Sequence, residues 1–433
     1  MGVELKVTPI RKTKAGWSAK ERLSLNIFDF NDEYKREFKN ASFLEKANLM
    51  ELMYYEFVKD EPSPELFIKA ATLFDLHDLP EEDKLIIEQD WNIIVNKIKE
   101  GKGEELSDSL TKYLGATTKG SKSEKNMTTQ PFSKEKAHRR AFTLKGSYMT
   151  SLARQIMSGE YETIIKDIEE LREKSFEELI IERFQPFIGC SKQKLAKKFN
   201  IDIKKGRDNA SSALIAKSML NLDGNIGETE EFRKAGIAVQ IVTGNKEYKK
   251  TTEGFKINIP GETFIDPIDL VQEDWEGSSL NNYLLDYHYL LVVFERIDNE
   301  DFFRGVKFWK VPSGNLEKEI KEVWKNTQSK FSNGLNLTIQ EYKTPTKTGR
   351  TYKVKNELWG PKKGKVVYVN TSGGVAGYNE SKNATEVPVR NRWFNVNDSI
   401  PKGELGEQHI SKHAWWFNRS YMYKQVKELL KDD

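Results

Sequence analysis

The sequence predicts an α/β protein made of two tandem copies of one domain, each a mixed β-sheet flanked by helices. Three observations carry this reading. Runs of strand length alternate with amphipathic helical stretches along the 433 residues. The strand pattern Gly2-Val3-Glu4-Leu5-Lys6-Val7 returns as Gly236-Ile237-Ala238-Val239-Gln240-Ile241. The stretch Ala141–Met149 returns as Ala414–Met422, with Ala and Ser-Tyr-Met at matching places.

The elements follow in order. Val3, Leu5 and Val7 alternate as in a β-strand, which puts Glu4 and Lys6 side by side on one face. Leu49–Phe57 is an apolar run of strand length, and Pro80–Glu100, with Trp91, Ile94 and Ile98, has helical spacing. A helix is expected over Tyr148–Met157, and the charged stretch Glu160–Lys174 reads as a linking helix. Helices over Phe176–Asn200 and Ala210–Leu222 open the second domain, followed by strand Tyr289–Phe294 and helix Asn315–Lys330. Trp324 then follows Ala238 at nearly the interval by which Trp91 follows Glu4. Beyond the Trp the second copy is longer, and the surplus falls in Thr344–Thr385, whose Gly, Lys, Thr and Asn suggest hairpins or loops. A helix over Tyr421–Leu430 closes the chain. The expected limits are a first domain over 1–158, a linker over 159–175 and a second domain over 176–433.

Composition narrows the function. With 69 basic and 66 acidic residues the net charge is +3, so a nucleic-acid site must be a local basic surface. The single Cys190 excludes a disulfide framework and a multi-cysteine metal site, and five scattered His argue against structural zinc. There is no apolar run of membrane-spanning length, the N-terminus is charged from Glu4 onward, and Lys6 breaks a myristoylation pattern. A cytoplasmic protein without a membrane partner is expected.

A carboxylate and an ammonium two residues apart on a strand suit metal-assisted phosphodiester cleavage. The carboxylate holds Mg²⁺, and the Lys supports the attacking water or the charge growing on phosphate. Arg139, Arg140 and Lys145 form a basic cluster fit for phosphates or guanine edges, whereas Arg11, Lys12 and Lys14 read as solvated surface.

The chain resembles the MutH family of DNA endonucleases, and within it the two-domain type II restriction enzymes that cut at GATC. The motifs are Gly-Val-Glu-Leu-Lys-Val-Thr-Pro at 2–9, Ser-Ala-Lys-Glu-Arg-Leu at 18–23, Tyr-Leu-Gly-Ala-Thr-Thr-Lys-Gly at 113–120 and Arg-Arg-Ala-Phe-Thr-Leu-Lys at 139–145. The resemblance implies a restriction-endonuclease-like core, Mg²⁺ as cofactor, and GATC-containing double-stranded DNA as substrate. It also implies a C-terminal copy that binds a second site as effector. Mismatch-repair nicking, the family's other role, fits less well because those enzymes resemble one copy. Carried over by position, Glu4 is the metal-binding Glu, Lys6 the catalytic Lys and Lys46 a further active-site Lys. Tyr113, Lys119, Arg140 and Lys145 fall in DNA-facing elements. A monomer is expected, with DNA able to bring two together.

The family's catalytic Asp stands seven residues before the Glu, a position that this sequence does not contain, and an earlier helical Glu is likewise absent. The second copy has a helical lead-in over 176–235, so roughly sixty residues are expected to be lacking from the first domain, and feeble cleavage or none is expected to result, the alternative being a non-catalytic GATC-binding remnant. In the second copy Glu231 occupies the Asp position, but Ala238 and Gln240 replace the Glu and Lys. That domain therefore reads as a binder. Asn418, Arg419 and Tyr421 are its candidate DNA contacts, and at least one of Trp415 and Trp416 belongs to its core.

Overall fold

The computed structural model describes all residues except 1–2, 14–15, 47–48, 59–66, 121–125, 159–161, 204–208, 346–350, 374–375, 397–404 and 431–433. The first repeat runs β1 (Glu4–Thr13), β2 (Gly16–Ala19), β3 (Leu23–Phe28), β4 (Met50–Glu56), β5 (Ile68–Phe74), α1 (Glu81–Lys99), β6 (Leu114–Thr118), β7 (Arg140–Leu144) and α2 (Gly146–Ser158). Helices α3 (Phe176–Phe184), α4 (Lys192–Lys198), α5 (Asn209–Met219) and α6 (Glu230–Lys234) lead into the second repeat. That repeat contains β8 (Ile237–Asn245), β9 (His288–Ile297), β10 (Glu300–Trp309), α7 (Lys321–Ser332), β11 (Val367–Thr371), β12 (His413–Phe417) and α8 (Arg419–Val426).

The repeat seen in sequence is a repeat of topology. One four-stranded sheet has the order β2-β1-β4-β5, and its counterpart has the short strand Lys250–Thr251, then β8-β9-β10. In both, the opening strand forms an antiparallel hairpin on one side, and the last two strands pair antiparallel. The three-stranded sheet β3-β7-β6 is matched by Phe255–Lys256, β12 and β11 in the same order. The register agrees as well: Leu114 pairs with Leu144 as Val367 pairs with Phe417. At the next turn Lys145 N–H donates to the Tyr113 carbonyl, and Asn418 N–H donates to the Val366 carbonyl. Trp91 and Trp324 are buried, each on the helix expected for it.

Within the surplus expected over 344–385, Tyr352–Lys355 is a strand that pairs antiparallel with Asn336–Glu341, which precedes that stretch. The charged stretch 160–174 departs from expectation: its only described helix is Glu169–Glu173. Tertiary hydrogen bonds replace helical ones there. Ile164 and Ile165 donate their backbone N–H groups to the buried Glu231 carboxylate, while Glu162 accepts from the N–H groups of Asp223 and Gly224.

By contacts the chain forms two compact units, one of residues 1–243, 285–310 and 428–433, the other of 244–284 and 311–427. In the first unit the core joins Phe28, Trp91, Phe142 and Tyr148 to Phe176, Phe232, Leu290 and Phe303. The two faces of the first sheet differ. Met50, Leu52 and Tyr54 are fully buried on one, whereas Leu5, Val7, Ile68 and Leu73 are 53–68% exposed on the other. On the matching strand β8, Ile237 is buried and Val239 and Ile241 pack against the core that contains Ile226 and Phe232. Among the described residues no helix is long and apolar enough to cross a membrane.

Candidate active strand and nucleic-acid interface

Strand β1 is held by parallel pairing with β4, Glu4 opposite Met50 and Lys6 opposite Leu52. In a sheet such partners share a face, so Glu4 and Lys6 lie on the covered face, at its rim. Thr8, two residues on, is already buried. Lys6 Nζ lies 2.7 Å from Glu4 Oε1, with the two side chains 25% and 47% exposed. Water screens such a pair to about 0–1 kcal/mol, so either group can exchange its partner for a phosphate or a cation at little cost. The backbone of Lys46 ends the short helix Ser42–Lys46, and its side chain lies outside the described residues.

A Mg²⁺ ion takes about six oxygen ligands and often more than one carboxylate at a nuclease centre. Among the described residues no group of three or more His, Cys, Asp or Glu side chains is placed to hold a metal. Glu4 is thus one suitable ligand, and the donors described do not complete a Mg²⁺ site.

The segment expected to face DNA is organised by a buried carboxylate. Asp90 on α1 accepts from the N–H groups of Lys112, Tyr113 and Leu114, which fixes the turn into β6. Burial pushes Asp90 upward, and the nearby Lys145 ammonium and the N–H groups oppose that shift. Lys145 is 1% exposed and its ammonium donates to the Thr111 carbonyl; burial lowers its pKa to about 8. Tyr113 is buried, and Arg140 is buried with Nη1 donating to the Ala116 carbonyl. In this conformation Arg140 ties β7 to β6, Lys145 holds the approach to β6 at Thr111, and Tyr113 is packed in the interior. Lys119, half-buried and 2.8 Å from Ser24 Oγ, and the exposed Arg139 are the cations of this element nearest solvent.

In the second repeat, Ala238 and Gln240 carry no carboxylate or ammonium, and Gln240 Nε2 donates to the Ile241 carbonyl. Glu231 is 5% exposed and holds the backbone of 164–165, with burial raising its pKa. The position that resembles a catalytic Asp is here a structural clasp. Asn418 caps α8, accepting from Ser420 N–H while its amide donates to the Pro361 carbonyl. Arg419 Nε donates to the Thr251 carbonyl at 2.6 Å, and the Tyr421 hydroxyl lies 3.3 Å from Asn315 Oδ1. These three residues line one cleft with Lys250, Lys362 and Lys424. Trp415 is core, and Trp416 is half-buried at the cleft.

Sequence reasoning missed one polar cluster. Arg22 bonds to Asp108 and Thr117 through Nη1 and to Asp286 Oδ1 through Nη2 at 2.6 Å. Burial draws the guanidinium down, but the two carboxylates more than offset this and raise it. The motif at 18–23 contained Arg22, yet its partners stand 86 and 264 positions away, which no local spacing reveals.

Two comparisons complete the picture. The family model described as DNA mismatch repair enzyme MutH matches residues 1–90. The type II restriction enzyme Sau3AI of Staphylococcus aureus is 36% identical over 445 residues, covering 99% of this chain and 88% of that enzyme.

Proposed function

Because the chain belongs to the MutH-type family of type II restriction endonucleases, site-specific deoxyribonucleases, we propose that it recognises GATC in duplex DNA and that its first repeat carries the hydrolytic strand. The observation that carries this reading is the Glu4–Lys6 pair, solvent-accessible at the rim of an otherwise buried sheet face. Lys6 would neutralise charge developing on the phosphate, and Glu4 would contribute one ligand to a divalent cation, Mg²⁺ by preference. The second repeat, which keeps the topology but has Ala238 and Gln240 at the corresponding places, would bind a second site as effector.

A second reading is a GATC binder with little or no cleavage, supported by the second repeat, which has the topology of the first with Ala238 and Gln240 in place of Glu4 and Lys6. Both are tested on duplexes containing GATC or a scrambled tetranucleotide, with Mg²⁺ or with EDTA. Under the first reading, Mg²⁺-dependent cutting occurs at GATC, and Glu4→Gln or Lys6→Ala each lowers it by about 10²-fold or more. Cutting that is indifferent to both substitutions would sink the assignment of the strand. Under the second reading, GATC duplex is retained in EDTA and is not cut in Mg²⁺; loss of the sequence preference would sink both.

A further inference from the structure

The cleft in the second unit has a chemistry that duplex recognition alone does not require. Its volume is about 830 Å³, within the range of small-ligand sites. Among the described residues four cations line it, Lys250, Lys362, Arg419 and Lys424, against the single carboxylate of Glu319. The bond from Arg419 to Thr251 uses only Nε. Nearness of Arg419 pulls the Tyr368 hydroxyl down, against the stronger upward effect of burial. The cationic and aromatic residues line the same cleft.

The aromatic wall is peculiar to the second repeat. Tyr368 on β11 pairs directly with Trp416 on β12, so the two side chains stand together on one face. The equivalent pair in the first repeat is Gly115 with Thr143. A Cβ added to Gly254 would meet the Trp416 ring at 3.0 Å and the Tyr368 hydroxyl at 3.3 Å, so that glycine lets the backbone close against both. Trp416 Nε1 is buried and has no hydrogen-bond partner among the described residues, so what the ring offers the cleft is its carbon face, and the exposed Asn370 adds an amide to the lining. An aromatic surface, an amide and a guanidinium with lysines are the groups that hold a base by its face and edge and its phosphate by charge.

We propose that this cleft binds a single deoxynucleotide, its base against the half-buried Trp416, which the buried Tyr368 backs, and its phosphate on Arg419 and the neighbouring lysines. The inference rests on the DNA-binding reading of the second repeat and narrows it to one unstacked nucleotide. The source is either a free nucleotide or one extruded from a strand, since both present the same base and phosphate.

The test uses the full-length chain, titrated with each of the four deoxynucleoside 5′-monophosphates, with the corresponding nucleosides and with inorganic phosphate, followed by tryptophan fluorescence and calorimetry. At least one monophosphate is expected to bind about tenfold or more tightly than its nucleoside and than phosphate. Trp416→Phe and Arg419→Gln, each with an unchanged melting temperature, are expected to weaken it by about fivefold or more. Equal affinity for inorganic phosphate, no saturable nucleotide binding, or insensitivity to both substitutions overturns the proposal. If an extruded nucleotide is the source, a duplex with one bulged nucleotide displaces the monophosphate and a fully paired duplex does not; if free nucleotide is the source, neither does. Displacement by the fully paired duplex as readily as by the bulged one overturns the single-nucleotide reading. None of these readouts requires cleavage or GATC, so their failure is distinguishable from failure of the proposed function.

Discussion

At the scale of single residues, burial decides which titratable groups are structural. His413 is buried in the second unit, where Nδ1 donates to the Ser411 carbonyl and Nε2 accepts from the Asn356 amide. With Nδ1 carrying the proton, Nε2 accepts only in a neutral ring, and burial lowers its pKa from 6.5 to about 4. Unfolded, the ring takes up its proton near 6.5, so between about pH 6.5 and 4 the unfolded chain binds more protons than the folded one. Stability therefore rises with pH across that window and is lost on acidification. Melting curves between pH 7 and 4 should show a loss approaching about 3 kcal/mol from this group, and His413→Gln should flatten that part of the profile. A variant with the wild-type pH profile would remove His413 as the cause. Lys145 illustrates the same principle. Its placement in a family motif pointed to DNA, while its ammonium is spent on Thr111 inside the protein.

At the scale of elements, short turns and sheet faces set what the strands can present. The turn into β6 depends on Asp90, which gathers three consecutive N–H groups. Asp90→Ala would leave those donors without an acceptor and remove the strongest of the carboxylate charges acting on the buried Lys145, with Asp108 and Asp286 remaining, and should cost about 3–5 kcal/mol by chemical denaturation. A cost below about 1 kcal/mol would show that the turn holds itself. The open face of the first sheet makes a separate prediction. Leu5, Val7, Ile68 and Leu73 form an exposed apolar surface. Leu73→Ser with Val7→Thr should reduce binding of an apolar dye while changing stability by about 0.5 kcal/mol or less, and unchanged dye binding would place the dye elsewhere. The charged stretch 160–174 adds a caution about helical pattern. Glu162 and Glu231 found backbone donors far away in sequence, and that outweighed the local propensity of a segment that reads as helix.

At the scale of the whole molecule, duplication separates roles. The two repeats share strand order and register, but Glu4 and Lys6 of the first correspond to Ala238 and Gln240 of the second, and Gly115 and Thr143 correspond to Tyr368 and Trp416. One copy carries the Glu4–Lys6 pair and the other an aromatic cleft. If each copy binds DNA, one chain should take up two short GATC duplexes in EDTA, with affinities that fall as salt rises. Calorimetry or sedimentation giving one duplex per chain would refute the effector role.

The sequence by itself determined the α/β class, the tandem repeat, the opening strand with its Glu4–Lys6 pair and the family, because each is written in local alternation or in spacing along the chain. Trp91 and Trp324 could be matched by counting, and the repeated Ser-Tyr-Met element located the second copy of the β7–α2 unit. Tertiary structure alone decided which of the basic motif residues reach solvent, since burial depends on neighbours remote in sequence. It withdrew Lys145 and Arg140 into the core and bound Arg22 between Asp108 and Asp286. It also turned Glu231 into a clasp and brought Lys250, Tyr368, Trp416 and Arg419 to one cleft. A sequence records which charges exist; the fold assigns each a desolvation cost and a partner, and only after that assignment is it known which of them can meet a ligand.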